Sequence, residues 1–522
     1  MRLAKRPNPV VPTQSLGLEL AALGQLLSMM QLLACGSNGK GQLATGDAVD
    51  KHTFTPCLFK SLPTITSIIS AVFGANHTAL LCENANVKPP VRYIFGAGDG
   101  SRGQLGTGIT TARRFRELEL RDRASGRNYA NEGVIAHIGA CWATTYIVFR
   151  PDPVKLSSSS QSDVFISIGA NNFSELGAPP SAVTVLSFAN AINASGLVTP
   201  SSTPSIYRVV RLATGLHHII VLLHIPLIDG SIREIIVGWG ASRNGQLELH
   251  ENEEVDVASS ASQISNNKPT RRSNGTAAYT NTPTHLYTVP EGEKVLSMAL
   301  GQQHSVILIQ TKEGSTKMLR GGSNRKGQLS FSSEIANMPL RSVHCTWNGT
   351  YFETSSGTAG AGDKGSFSIL GTGSSEMGQL GRGVARTTTP PLPESSATPS
   401  PAMPIITPTS ASLQASDRQV LFPPATKEAR LGSLACGSEH VVAMLGYKPE
   451  DHAGAEDAVE WEAWAWGWNE HGNLGLGHVK DVSIPTRIWP SPISTKTTPS
   501  HFVEGELREV WAGNGTTLLL ID

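Results

Sequence analysis

The sequence predicts an all-β fold: a seven-bladed β-propeller whose ring is closed by its first and last strands. Three observations predict it. A glycine-loop signature, an apolar strand followed by Gly-x-x-x-x-Gly-[Gln/Asn]-Leu, occurs seven times. A second signature, Gly-x-x-His followed by a short apolar strand, alternates strictly with the first. The final apolar run, Thr516–Ile521, has no following partner, and the first, 31–35, has no preceding one. Repeats of one strand-and-turn unit dictate a ring of like sheets. Pairing the two orphan runs removes both exposed sheet edges, which would otherwise template aggregation.

The glycine loops lie at 36–43, 98–105, 169–176, 240–247, 322–329, 373–380 and 467–474. The third is the weakest, with Ser174-Glu175-Leu176 where the others carry Gly-Gln-Leu or Gly-Asn-Leu. The second signature is read at 74–77, 139–142, 215–218, 301–304 and 437–440, with degenerate copies at 345–348 and 513–516. Between them the chain alternates strand-length apolar runs with Gly, Asn and Pro punctuation, the pattern of an antiparallel sheet. The shortest spacing between successive loops, from Gly327 to Gly378, is 51 residues, close to the roughly 50 of a compact propeller blade.

Longer spacings hold insertions of loop composition, expected to be disordered. They fall near 155–163, with four consecutive serines, and 251–284, which is polar and carries Arg271-Arg272. Two more fall near 384–427, with nine prolines, and 448–460, which is acidic. Such compositions bury too little apolar surface to offset ordering entropy. Residues 1–29 precede the first repeat and are read as a disordered or helical extension, with Met30 as an alternative start. The apolar run there resembles a signal peptide. Cleavage at its Cys35 would delete the strand that every other repeat places before its glycine loop, so that reading is rejected. Residues 30–522 then form one propeller.

Composition narrows the function. The 522 residues include 52 Gly and 32 Pro, which suits short strands and tight turns. Lys+Arg and Asp+Glu are both 42, so net charge gives no argument for nucleic acid or an anionic membrane. No 18-residue uncharged apolar run appears, so no membrane span is expected. The six cysteines form no Cys-x-x-Cys pair and are read as buried reduced thiols. Gly96-Ala97-Gly98-Asp99-Gly100 superficially resembles a dinucleotide turn but lacks the βαβ context. No phosphate-loop, nucleophile-elbow or zinc-protease motif is present, so no enzyme activity and no cofactor are expected. His77, His218, His304 and His440 recur once per blade, so they array around the ring instead of converging on one metal ion. Their expected role is to satisfy buried polar groups. His217 and His218, being adjacent on a strand, face opposite ways.

Gly-Ser-Asn-Gly-Lys-Gly-Gln-Leu at 36–43, Gly-Thr-Gly-Ser-Ser-Glu-Met-Gly-Gln-Leu-Gly at 371–381 and Gly-Ser-Glu-His-Val-Val-Ala at 437–443 resemble the repeats of the regulator of chromosome condensation family. That family's fold is a seven-bladed propeller. Within it the chain looks most like the fungal alpha-tubulin suppressor type, on two stretches. One is Gly467-Trp468-Asn469-Glu470-His471-Gly472-Asn473; the other is Gly513-Asn514-Gly515-Thr516-Thr517. The resemblance implies a non-enzymatic protein that binds a small zinc-ribbon electron carrier in diphthamide synthesis and tRNA wobble-uridine modification. It implies a monomeric propeller in the cytoplasm and nucleus, without direct nucleic-acid contact. The alternative is a guanine-nucleotide exchange factor or regulator of a small GTPase.

Repeat geometry singles out the partner-binding candidates. Equivalent loop positions share one rim of the ring. Just before the second loop glycine the chain offers Lys40, Arg102, Arg243 and Arg325 on loops one, two, four and five. Loops six and seven offer Glu376 and Glu470, the latter followed by His471. A rim basic on one arc and acidic on the other docks a charged partner by complementarity. Trp464, Trp466 and Trp468 alternate with period two. Trp464 and Trp466 are read as inter-blade core, and Trp468, past the strand, as an interface anchor.

Overall fold

Every second strand of the repeat is apolar on both faces, and this decides how the sheets stack. In the computed structural model, Thr144–Arg150 and Thr516–Ile521 are buried along nearly their whole length. Alternate residues of one strand enter different cores: Leu33 and Leu519 pack towards one neighbouring blade, Leu32, Leu518 and Leu520 towards the other. Seven buried clusters result, one at each junction between blades. The structure describes residues 30–522 apart from 62–63, 122–125, 130–132, 153–160, 199–205, 252–277, 332–334, 336–337, 356–366, 384–417, 427–428, 449–458 and 492–504.

Seven antiparallel sheets form the ring, numbered here after the glycine loop each carries. Blade 1 joins Leu507–Ala512 and Thr516–Ile521 to Gln31–Gly36 and Lys51–Pro56. Blade 2 runs Ser67–Phe73, His77–Asn84, Val91–Asp99, Thr111–Glu117. Blade 3 runs Val134–Cys141, Thr144–Arg150, Val164–Gly169, Thr184–Leu186. Blade 4 runs Arg208–Thr214, His218–Pro226, Ile232–Ala241, Tyr279–Thr288. Blade 5 holds Lys294–Leu300, His304–Gln310 and Thr316–Gly322. Blade 6 has three strands among the described residues, Leu340–Cys345, Gly349–Ser355 and Phe367–Gly373. Blade 7 runs Arg430–Cys436, His440–Tyr447, Glu460–Gly467, Val482–Trp489. The closure is as expected: Gln31 lies opposite Ile521, and the register continues without a break to Gly36 opposite Thr516.

Two features were not legible in the repeats. The outer strand of blade 5 is His250–Glu251, which leaves the blade 4 loop and pairs with Leu319 and Arg320. Blade 4 thus lends an edge to its neighbour before completing itself with Tyr279–Thr288. This also places the end of the expected 251–284 insertion inside a strand. Of the remaining insertion expectations, most of 155–163, 384–427 and 448–460 lies outside the described residues, as does the whole of 1–29.

The second signature needs a correction of register at two blades. In blade 3 the turn spans 141–144, because Cys141 pairs with Thr144 across it, not 139–142. In blade 6 Thr346 N–H donates to the Gly349 carbonyl, so the turn is 346–349, not 345–348. The cause is the same in both: the histidine that marks the position elsewhere is replaced, by Thr144 and by Gly349. All six cysteines are free thiols, and burial pushes Cys82 and Cys345 up to about 12.

The first strand of each blade faces the ring axis, and their ends line one central cavity that includes Phe73, Trp142, Leu216, Gly301, Trp347, Gly437 and Asn514. The turns and the glycine loops share this end of the ring. In all seven blades the residue after the loop glycine donates its N–H to a carbonyl in the turn of the same blade, as Asp99 does to Asn76 at 2.7 Å. This end is called the loop face below.

Removing the last strand by ending the chain after Gly513 unpairs Gln31–Gly36 and exposes an apolar edge. The expected outcome is loss of a single cooperative thermal transition and a shift to aggregates on size-exclusion chromatography. The milder Leu519→Ala, at a fully buried position, is expected to cost roughly 2–5 kcal/mol in urea unfolding.

Candidate functional site

Each glycine loop begins in the left-handed region, with φ 101° at Gly98. A Cβ there would lie 2.2 Å from the Asn76 carbonyl oxygen, the one that accepts from Asp99. Only glycine lets the chain turn back so close to its own blade. Inside the loop the Gln side chain accepts the N–H two residues earlier. Lys40 donates to Gln42 at 2.9 Å, Arg102 to Gln104 at 2.9 Å and Lys326 to Gln328 at 2.8 Å. The loop tip is thereby fixed while its basic side chain points to solvent.

The same Gln or Asn holds the ring together through its backbone carbonyl. Thr145 of blade 3 donates to the Gln104 carbonyl of blade 2 at 2.8 Å, and His77 of blade 2 meets the same hydroxyl through Nε2 at 2.9 Å. The relay repeats with His218, Ser305 and Gln246, with His304, Thr350 and Gln328, and with His440, Thr517 and Asn473. The glycine of Gly-x-x-His makes room for this ring: a Cβ at Gly74 would lie 2.0 Å from His77. Burial holds the four imidazoles neutral, His77, His304 and His440 down to about 4 and His218 to about 3.

In blades 3 and 6, where the histidine is missing, aromatic donors take over. In blade 3 the Tyr146 hydroxyl and, from blade 4, Trp239 Nε1 both donate to the Glu175 carbonyl, at 2.9 and 2.8 Å. In blade 6 the Tyr351 hydroxyl and, from blade 7, Trp466 Nε1 both donate to the Gln379 carbonyl, at 2.7 and 2.8 Å. Trp464 and Trp466 are core, as expected.

The regulator of chromosome condensation (RCC1) repeat model matches residues 31–81 and 462–520. These are the segments that meet in the closing blade and its two junctions. Those two segments are RCC1-like repeats. Two solved structures are similar over nearly the whole length. Human WBSCR16 is 15% identical, with 95% of this chain and 99% of that chain covered at a TM-score of 0.52. Prp20p from Saccharomyces cerevisiae is 16% identical, with 94% and 91% covered at a TM-score of 0.54. At these identities the likeness is one of fold. No curated protein matches the sequence.

On this ring, Lys40, Arg102, Arg243 and Arg325 all sit exposed at loop tips. Among the described residues none of the four is in an ion pair. The acidic arc is less free than its sequence suggests. Glu376 bridges to Lys326 of the neighbouring blade at 2.7 Å, whereas Glu470 is exposed. His471 reaches across to blade 1, where its Nδ1 lies 2.7 Å from Asp50, and its ring stands edge-on to Trp468 at 5.3 Å. Trp468 is half-buried, so this pair fastens loop seven to the closing blade as well as presenting a surface. No group of three or more His, Cys, Asp or Glu among the described residues could hold a metal ion. No described helix is long and apolar enough to cross a membrane.

Sequence reasoning missed Trp142 and Trp347. Both occupy the second position of a turn that lacks its histidine, and both lie at the mouth of the central cavity. Trp142 is 40% exposed. The signal was present: with the turns placed in correct register, two of seven carry tryptophan at one surface position.

The histidine relay makes stability acid-sensitive. The unfolded chain binds protons at these four sites near pH 6.5, whereas the native ring refuses them until about pH 4 or below. The stabilisation is therefore complete above pH 6.5 and is lost as pH falls towards 4, by up to about 1.4 kcal/mol per pH unit for each histidine. The urea midpoint should fall over this window, and His304→Gln should reduce the slope by about one proton.

Proposed function

We propose that this propeller is a non-enzymatic binding platform that docks a protein partner on its loop face. The observation that supports it is the set of four exposed loop cations without ion-pair partners among the described residues, on rigid tips of one rim. Rigid, unpaired charge at a rim costs little to bring into register with an opposite charge. In the finer form of the reading, the partner is a small zinc-ribbon protein serving diphthamide synthesis and tRNA wobble-uridine modification. The resemblance of the 467–473 stretch to the alpha-tubulin suppressor type supports it. Trp468, Glu470 and His471 then belong to the docking surface, and the protein works in the cytoplasm and nucleus.

The second reading, an exchange factor or regulator of a small GTPase, uses the same face. Its support is the fold shared with Prp20p, whose structure is described with its binding to Gsp1p and histones.

Reversing Lys40, Arg102, Arg243 and Arg325 to Glu together should weaken partner binding at least about tenfold and flatten its salt dependence. The measurement is titration of the purified zinc-ribbon protein, and of a small-GTPase panel with nucleotide release as readout. Unchanged affinity in the reversed chain removes the loop-face reading. Binding of a GTPase instead of the zinc ribbon selects the second form.

A further inference from the structure

The third glycine loop breaks the repeat pattern in two ways at once. Ser174 takes the position that glycine holds in the other six and sits at φ 64°, a conformation that costs a residue with a Cβ about 1–2 kcal/mol. Glu175 replaces the buried Gln or Asn. Local strain kept against its cost marks a place where the fold serves something other than stability.

What the altered loop does is hold aromatic side chains at the surface. Glu175 is buried; one carboxylate oxygen accepts from Phe173 N–H at 2.7 Å, as Gln does in the ordinary loops, and the other meets His217 Nδ1 at 2.8 Å. His217 is thereby fixed with its ring against Phe173, centroids 4.0 Å apart. Its Nε2 has no hydrogen-bond partner among the described residues. The Ser174 hydroxyl bonds to Asn281 of the outer strand of blade 4, which brings Tyr279 to 5.7 Å from Phe173. On the other side His217 lies 5.9 Å from Trp142, and Trp142 lies 6.4 Å from Trp347 across the mouth of the cavity. Trp347 is held by a bond from its Nε1 to Asn514 of blade 1. An unbroken row of five rings thus crosses the loop face from the rim of blade 4 to the turn of blade 6. Two of its rings stay open, Tyr279 38% and Trp142 40% exposed.

We propose that this row is a docking stripe for an extended acidic segment of a partner protein that carries aromatic or aliphatic side chains. Charge complementarity selects that occupant. Lys40 and Arg102 flank the row from blades 1 and 2, Arg243 and Arg325 from blades 4 and 5. Among the described residues of the glycine loops the exposed acids are fewer, Glu470 and the already paired Glu376. A chain laid along the stripe places apolar side chains on Trp142 and Tyr279, where large aromatics anchor interfaces. Its carboxylates face the cations, and its backbone or a carboxylate meets His217 Nε2. The inference rests on the loop face being the binding face and adds where on it the contact falls and what recognises it.

The test is selection of random displayed peptides on the full-length chain, followed by titration of the enriched peptides synthesised free. The expected result is peptides rich in Asp and Glu with at least one Trp, Phe or Leu. Their affinity should fall at least about tenfold in Trp142→Ala, Tyr279→Ala and when salt is raised from about 0.1 to 0.5 M. It should be unchanged by Ile228→Ala, whose fully exposed side chain lies between the second and third strands of blade 4, at the other end of the ring. Both aromatics are substantially exposed, so each variant should keep the wild-type thermal midpoint, and Trp142→Phe should recover most of the affinity. Selection of basic or neutral peptides, of none, or of peptides indifferent to Trp142 and Tyr279 overturns the proposal. So does a gain of about tenfold when a short Gly-Ser linker replaces residues 252–277, since the chain's own Glu253-Glu254-Val255-Asp256-Val257 would then be the occupant. If the zinc-ribbon or GTPase partner is retained by the Trp142→Ala, Tyr279→Ala chain and lost by the charge-reversed one, the stripe alone fails and the rim reading stands.

Discussion

One backbone carbonyl per blade, that of the Gln, Asn or Glu in the glycine loop, carries the lateral order of the ring at six of its junctions. It is buried between blades, where an unpaired acceptor is costly. At each of the six a donor is aimed at it from the flanking strands. Four junctions use a Ser or Thr hydroxyl on the next blade with a neutral histidine behind it. Two use a tyrosine of the same blade and a tryptophan of the next. The two solutions are exclusive. Where Trp239 or Trp466 supplies the bond, the hydroxyl position of that blade is Ile219 or Val441. Swapping one partner alone would strand the carbonyl, so the residues change as a set.

This constraint explains why the loop face is both rigid and free to vary. The carbonyl and side chain of the Gln position are committed to the fold, and the glycine φ values leave the loop one path. Several side chains just before the second glycine are exposed. There the chain carries its unpaired cations, and the exceptions are instructive. Lys326 is drawn to Glu376, and His471 to Asp50, so part of the charge pattern is spent on joining blades. Half-buried Glu439 shows the opposite balance. Burial holds its carboxyl above the usual carboxylate range, while bonds from Asn348 and Gln379 pull it down.

The loss of a histidine at a turn had a second consequence. Blades 3 and 6, freed of the imidazole, each carry a tryptophan at the turn's solvent-facing position, and the ring brings the two across the mouth of the cavity to 6.4 Å. Of the sequence-chosen candidates, the four cations are exposed at loop tips, because repeat position alone determines which way they face. His471, with Trp468 edge-on to it, turned out half-engaged in closing the ring, since its partner Asp50 lies in a connector with no repeat signature. The aromatic row could not be read at all. It joins residues from three blades, and no local pattern records which of them meet.

By itself the sequence determined the number of blades and the closing pair, because period and apolar run length are local properties that admit one ring. It also determined that the four histidines serve packing, since one per repeat cannot converge on an ion. Only the tertiary structure decided the true register of the two histidine-free turns, the strand that blade 4 lends to blade 5, and the carboxylate-backed row across the loop face. Each of these depends on which residues from different repeats come within a few ångströms, and that distance is set by the closing of the ring, which no single repeat contains.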